Sequence, residues 1–272
     1  VLLLVLSGFA GLKDFGLTYT SSFDPELKIV PKTGSYFVIS QDDLDMIKGI
    51  EGVLDASPVI EEKVALSNEL NSGAVMLKGV YGDYYMGTML DSLSLIGAFS
   101  PGKQNAIYLG ADLASSLEVV MSDDFSLLAT AAKKDSRSLF SFSPFNTKTL
   151  DIEGVYQISS DIENKFAFTS LKTLSSLMGV GENSYTSIEV VSDGSINKAG
   201  LEKEVNRLFT SNFSVLDKQD LNPALYKMLN TENIAVYLIF SLVALISMFN
   251  LVGSITIMMV EKRKDLRVLE IL

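Results

Sequence analysis

Any chemistry in this chain has to be done without histidine or cysteine, because its 272 residues contain neither, and no tryptophan either. A Cys/His zinc site, a haem ligand, an Fe–S cluster, a thiol nucleophile and a Ser-His-Asp triad are therefore excluded. Carboxylates and a Ser-Lys pair are what remain. The adjacent acid pairs Asp42-Asp43, Glu61-Glu62 and Asp123-Asp124 are the nearest thing to a carboxylate constellation. Neighbours in a strand point to opposite faces, and at a helix start one acid usually serves the cap or the dipole. Solvated surface or capping is the expected role, rather than metal binding or acid/base work. No G-x-x-x-x-G-K-[ST] occurs, so no P-loop holds a nucleotide. Gly179-Val180-Gly181 follows a helical stretch and reads as a C-cap turn. The chain is not expected to be an enzyme, and no metal or cofactor is expected in it.

Contact rather than catalysis is what the remaining residues suggest. With 22 basic and 33 acidic residues the net charge is −11, the wrong sign for a nucleic-acid face. The loop Arg137–Asn146 sets Phe140, Phe142 and Phe145 among small polar residues beside Pro144. Strand alternation would bury Phe140 and Phe142 on one face. Alternatively the loop is an exposed hairpin tip that docks on a partner.

Mean hydropathy is +0.29, and its source is local. Ile234 to Val260 contain no charged residue, and as a helix they would run about 40 Å, more than a hydrocarbon core needs. Lys262, Arg263, Lys264 and Arg267 follow at once and mark that end as cytoplasmic. Asn222-Pro223 is a helix start, so one helix is expected over 223–260, part of it a stalk outside the bilayer. Within the span Asn250 is an amide in hydrocarbon, and Gly253 and Ser254 form a small face for helix packing. Phe240, Met248 and Phe249 suit lipid or acyl-chain contact.

The elements that would carry these features are mixed. Strands are expected at LKIVP, SYFVI, VLDASPVIEEKVAL and AVMLKGV, with Pro58 marking an edge or bulge. DDLDMIKGI reads as a helix capped by Asp42 or Asp43. A second set follows as DIEGVYQIS, the helix SLKTLSSLM, YTSIEVVS, the helix INKAGLEKEVNRLF and NFSVLD. The predicted class is an α+β domain on the far side of the membrane from the basic flank, with transmembrane α-helices on either side of it. A split strand-helix-strand subdomain over 27–81 and 150–220 would carry an inserted β-rich subdomain over 82–149, with the Phe-rich hairpin loop in the insert. Residues 1–12 read as the end of a truncated first membrane helix, 223–260 as stalk plus second membrane helix, and 261–272 as a further helical start. The chain reads as a fragment.

Taken in order, SGFAG, SFDPELKIVP, IKGIEGVLDASPVIEEKVAL, VMLKGV, IYLGADLASSLEV, LDIEGVYQI, ENKFAFTSL and the stretch from Thr231 to Leu272 resemble the lipoprotein-releasing (Lol-type) ABC transporter permeases. That family sits in a MacB/FtsX-like mechanotransmission group. The resemblance implies a permease with four membrane helices and its large domain in the periplasm, in the cell inner membrane. It implies an ABC ATPase subunit docking at a coupling helix that begins with Glu261, Lys262, Arg263, Asp265, Leu266 and Leu269. A second permease subunit, identical or different, is implied too. So are a lipoprotein substrate and a periplasmic lipoprotein carrier, gripped by a protruding hairpin at the place of Phe140, Phe142, Pro144 and Phe145. The same architecture also serves MacB-like exporters of small molecules or peptides, and FtsX-like signal couplers that activate a periplasmic hydrolase.

Overall fold

The computed structural model describes residues 24–269, apart from 85, 101, 121–124, 133–144, 159 and 210–212. Two compact units share the chain, with the boundary between Lys218 and Gln219.

Among its described residues the larger unit has twelve strands interspersed with six short helices. The order is β1 (Leu27–Pro31), β2 (Phe37–Val38), α1 (Gln41–Lys48), β3 (Val53–Ser67), β4 (Ser72–Val80), α2 (Gly87–Ser92), β5 (Ser94–Gly97), β6 (Ala106–Gly110), α3 (Ala111–Ser116) and β7 (Ser126–Ala132). Then come β8 (Phe145–Tyr156), α4 (Ser160–Glu163), β9 (Phe166–Ser170), α5 (Leu171–Met178), β10 (Ser184–Tyr185), β11 (Ser187–Ser192), α6 (Lys198–Leu208) and β12 (Phe213–Asp217). The mixed α/β class expected from the sequence is what forms.

Local signals set the helices. Ser40, not Asp42 or Asp43, caps α1; its hydroxyl takes the Asp43 N–H while the Asp43 carboxylate takes the Ser40 N–H at 3.0 Å, a reciprocal capping box. Serine wins because the preceding extended residue is the one whose side chain reaches the orphan N–H groups. Ser170 and Asn197 cap α5 and α6, their side chains accepting the Thr173 and Gly200 N–H groups without a reciprocal bond. Gly179 ends α5 in the left-handed conformation (φ 67°), as a glycine C-cap does.

Ten strands join one sheet in the order β12-β1-β11-β3-β4-β9-β6-β8-β5, with β7 bridging β3 and β8. The bridge closes β3, β4, β9, β6, β8 and β7 into a six-stranded circuit. Strands from 82–149 are thus hydrogen-bonded among strands from both flanking stretches, β9 lying between β4 and β6. Helix α5 packs against five of the six strands of the circuit, through buried Leu171, Leu174 and Leu177. Gly79 lets it come close, because a Cβ there would sit 3.0 Å from that of Leu174.

β3 runs through Pro58 without a break. Residues 53–59 pair with β11 and residues 60–67 pair with β4 on the other side, so Pro58 lies where the strand has a ladder on one side only. At the far end of the sheet, β1 and β12 pair antiparallel with Leu27 opposite Asp217. SYFVI yields just two strand residues, which pair with β10 in a separate ladder.

Alternation gives the strands two apolar faces. The main core gathers Ile29, Ile60, Leu66, Leu77, Ile107, Leu109, Leu127, Leu174 and Ile188, all fully or almost fully buried, each contributing roughly 1.5–3 kcal/mol by removal from water. A second cluster holds Val59, Val80, Tyr84, Tyr108, Tyr156 and Phe168. Phe99 meets Tyr108 edge-on at 4.9 Å, and Tyr156 meets Phe168 at 5.8 Å.

The smaller unit holds α7 (Lys218–Leu221), which straddles the boundary, and α8 (Pro223–Leu269), a single helix of 47 residues and about 70 Å. Helix α8 begins at Pro223, where the sequence places the start, and continues past Val260.

Candidate functional site

Three places can do something. The first is the β7–β8 hairpin. Seven rungs hold it, from Ser126 opposite Asp151 to Ala132 opposite Phe145, and the Phe-rich loop lies between the last two. Phe140, Phe142 and Pro144 fall outside the described residues. Phe145 is described, and its ring is 52 % exposed on the outer face with Leu128. Beside this face Leu70, Val120, Phe125 and Leu128, with Glu69 and Glu118, line an open groove of about 670 Å³. Leu70, at the β3–β4 turn, is 83 % exposed. Asn68 holds that turn: its carbonyl oxygen accepts the Leu70 and Asn71 N–H groups, and its amide donates to the Leu117 carbonyl at 2.6 Å.

The second is α8. Among the described residues it is the one helix long and apolar enough to cross a membrane, from Pro223 to Lys262, and none of its most apolar window is buried. Met248 and Phe249 are about 70 % exposed, Phe240 is half-buried, and Asn250 and Gly253 are exposed. Ser241 and Ser247 donate to the carbonyls of Leu238 and Val243, and Thr256 to that of Val252, so these hydroxyls are satisfied within the helix. The helix continues unbroken through Glu261, Lys262, Arg263, Asp265 and Leu266 to Leu269. Glu261 and Lys262 are exposed.

The third was not legible in the sequence. Lys28 on β1, Glu61 on β3, Lys78 on β4 and Glu189 on β11 meet on the face that carries the tyrosine cluster. Lys28 Nζ lies 2.5 Å from a Glu61 oxygen, and Lys78 Nζ lies 2.6 Å from Glu189 Oε1. Lys28, Lys78 and Glu189 are buried, and the Glu61 side chain is 20 % exposed. The Tyr84 hydroxyl donates to the second Glu189 oxygen at 2.7 Å, and the Tyr84 ring lies 5.2 Å from the Lys78 ammonium. Burial pushes the Glu61 carboxyl up, but the Lys78 and Lys28 ammoniums outweigh it and bring its pKa down to about 2. Glu61 is therefore not the solvated acid expected of a Glu-Glu pair in a strand. A buried charge of either sign needs a partner, and here two of each sign are matched.

The other acid pairs do no chemistry that the structure describes. Asp43 serves the α1 cap, and the Ser40 hydrogen bonds hold its carboxyl below the usual range. Asp123-Asp124 lies outside the described residues. Glu163, the first residue of ENKFAFTSL, is buried and takes the N–H groups of Ile158 and Asp112. It ties the β8–β9 connection to α3.

No family model matches the chain. It is 23% identical over 227 residues to the lipoprotein-releasing system transmembrane protein LolC of Buchnera aphidicola subsp. Schizaphis graminum, covering 82% of this chain and 54% of that protein. The chain thus spans about half the length of the curated relative it matches. The match is longer than the larger unit alone, so it extends beyond that unit on at least one side. Among solved structures, the extracellular domain of the noncanonic ABC-type transporter YknZ from Gram-positive bacteria superposes at a TM-score of 0.50 with 15% identity, over 71% of this chain and 99% of that one. The periplasmic region of MacB from Actinobacillus actinomycetemcomitans aligns at 0.49 with 11% identity, over 74% and 92%. The resemblance drawn from the sequence motifs is borne out by the LolC match, and the fold is that of the YknZ extracellular domain.

Proposed function

We propose that this chain is part of the permease subunit of an ABC transporter that extracts lipoproteins from the inner membrane and passes them to a periplasmic carrier. The observation that carries the reading is the LolC match, because it is longer than the larger unit and so extends beyond it. An apolar, unburied helix that leads from the sheet to a basic stretch fits a membrane span with its positive end in the cytoplasm. On this reading the larger unit stands in the periplasm, and ATP is hydrolysed by a separate ATPase subunit that docks near Glu261, Lys262, Arg263, Asp265, Leu266 and Leu269. A second permease subunit, identical or different, completes the pore. The β7–β8 hairpin, with exposed Phe145 and the adjoining loop of Phe140, Phe142 and Pro144, receives the carrier. Phe240, Met248, Phe249, Asn250 and Gly253 serve helix packing or lipid contact in the span.

Co-purification of the full-length protein in mild detergent, with mass spectrometry of what accompanies it, tests this. Triacylated lipoproteins together with an ATPase subunit are expected. An ATPase with an outer-membrane channel would favour a MacB-like exporter, and an ATPase with a periplasmic hydrolase an FtsX-like coupler. Deleting residues 133–144 should abolish carrier binding; retained affinity would overturn the assignment of the hairpin.

A further inference from the structure

The ten-stranded sheet consists of two pieces that share one strand. β12, β1 and β11 pair with one another, and β11 pairs with β3 over residues 53–59. The six-stranded circuit takes up β3 from Ile60 onward. Among the described residues the strand ladders of the two pieces therefore meet on β3, at Val59 and Ile60. Thr186 reinforces that step: its hydroxyl donates to the Val59 carbonyl and accepts the Glu61 N–H at 2.9 Å.

We infer that Lys28, Glu61, Lys78 and Glu189 form a clamp across this junction, locking the edge strands β12-β1-β11 to the circuit so that the two move as one body. The pattern of distances carries the inference. In register, Lys28 stands opposite Glu189 within the edge piece, and Lys78 stands opposite Glu61 within the circuit. Those in-register pairs are the long ones, 4.0 and 3.4 Å. The short contacts, Lys28–Glu61 at 2.5 Å and Lys78–Glu189 at 2.6 Å, each join one piece to the other. Because Lys28, Lys78 and Glu189 are buried, a slip along the junction would part their charges before water could replace the lost partners. An apolar junction of the same size has no fixed partners to part, since dispersion contacts are non-directional and re-form after a small slip. Tyr84 adds a third support by engaging Glu189 and facing Lys78 from the segment after β4. The clamp rests on the transport reading only for what drives the movement, which would arrive through the segments that adjoin β1 and β12.

Hydrogen exchange on the full-length protein in detergent tests the clamp. The variant Lys28→Met/Glu61→Leu/Lys78→Met/Glu189→Leu replaces all four charges with apolar groups of similar size. Peptides covering β1 and β12 should exchange at least tenfold faster than in the parent, while those covering β6 and β9 stay within twofold. Unchanged protection of β1 and β12, or equal acceleration of edge and circuit, would overturn the clamp. Should the fourfold variant not fold, Lys28→Met/Glu61→Met removes one crossing pair and gives the same comparison. The readout needs neither ATPase nor lipoprotein, so the transport reading can fail while the clamp stands, and the reverse.

Discussion

Lys78 and Glu189 are separated by 111 residues of chain, yet their charged groups lie 2.6 Å apart in a site where the glutamate is wholly inaccessible to water. Removing one member leaves the other as an uncompensated buried charge. Lys78→Met should therefore cost about 3–5 kcal/mol, whereas Lys78→Met/Glu189→Leu should cost less than the sum of the two single changes. Urea unfolding of the full-length protein in detergent gives the cycle. Additive costs would mean that the two side chains do not sense each other.

Acid should reach the same cluster through Glu61. Its folded pKa of about 2 lies below the ordinary 4.5, so the stability it contributes is complete above pH 4.5 and is lost as pH falls toward 2. The unfolding midpoint should show no pH dependence from this group between pH 5 and 8, where its contribution is constant, and a decline below 4.5 that Glu61→Gln makes shallower. An acid limb identical in Glu61→Gln would place the titrating group elsewhere.

Gly110 is fixed by its neighbour rather than by its dihedral angles. A Cβ there would overlap the Glu163 backbone, 2.6 Å from its carbonyl carbon, and the buried Glu163 carboxylate keeps that segment in place through Ile158 and Asp112. Gly110→Ala should lower stability by ~1–3 kcal/mol, as overpacking does. Gly82→Ala, where nothing lies within 4 Å, is the matched control and should be near neutral. Thermal melts of the two variants side by side distinguish them.

Helix α8 makes a prediction about partition rather than folding. Leu251, 62% exposed near the middle of the apolar run, should tolerate no charge: Leu251→Arg costs about 2.5–3.5 kcal/mol of insertion. Met228, also exposed but ahead of that run, should accept the same change with little effect. The fraction resisting alkaline extraction from membranes reports both, and equal extraction of the two variants would count against a span centred on 251.

The parts of this fold that were legible in the sequence are those whose cause is local. An uncharged run ahead of a basic stretch announced α8, and Gly179 announced the end of α5, because a span or a cap needs only its own neighbours in sequence. The closed circuit was hidden because its rungs are remote: Ala65 pairs with Thr130 and Ile107 with Thr169, and alternation tells which face a residue takes, not which strand it meets. The charge cluster was hidden for a related reason. A lysine or glutamate in an alternating strand reads as solvent-facing, and only the second apolar face, built from Tyr84, Tyr108, Tyr156 and Phe168, turns that side inward. At the hairpin the sequence singled out Phe145, whose exposure the structure gives, but not the groove of Leu70, Val120 and Phe125, which comes from two stretches about fifty residues apart.

The rung between Leu27 and Asp217 has an evolutionary meaning. Everything between these two residues leaves and returns at a single point of the chain path. A gene segment encoding such an insert can be lengthened, traded or replaced by another whose ends share a rung, without altering the spacing of what lies on either side. The larger unit is in this sense a cassette, and recombination at its two borders would exchange it whole.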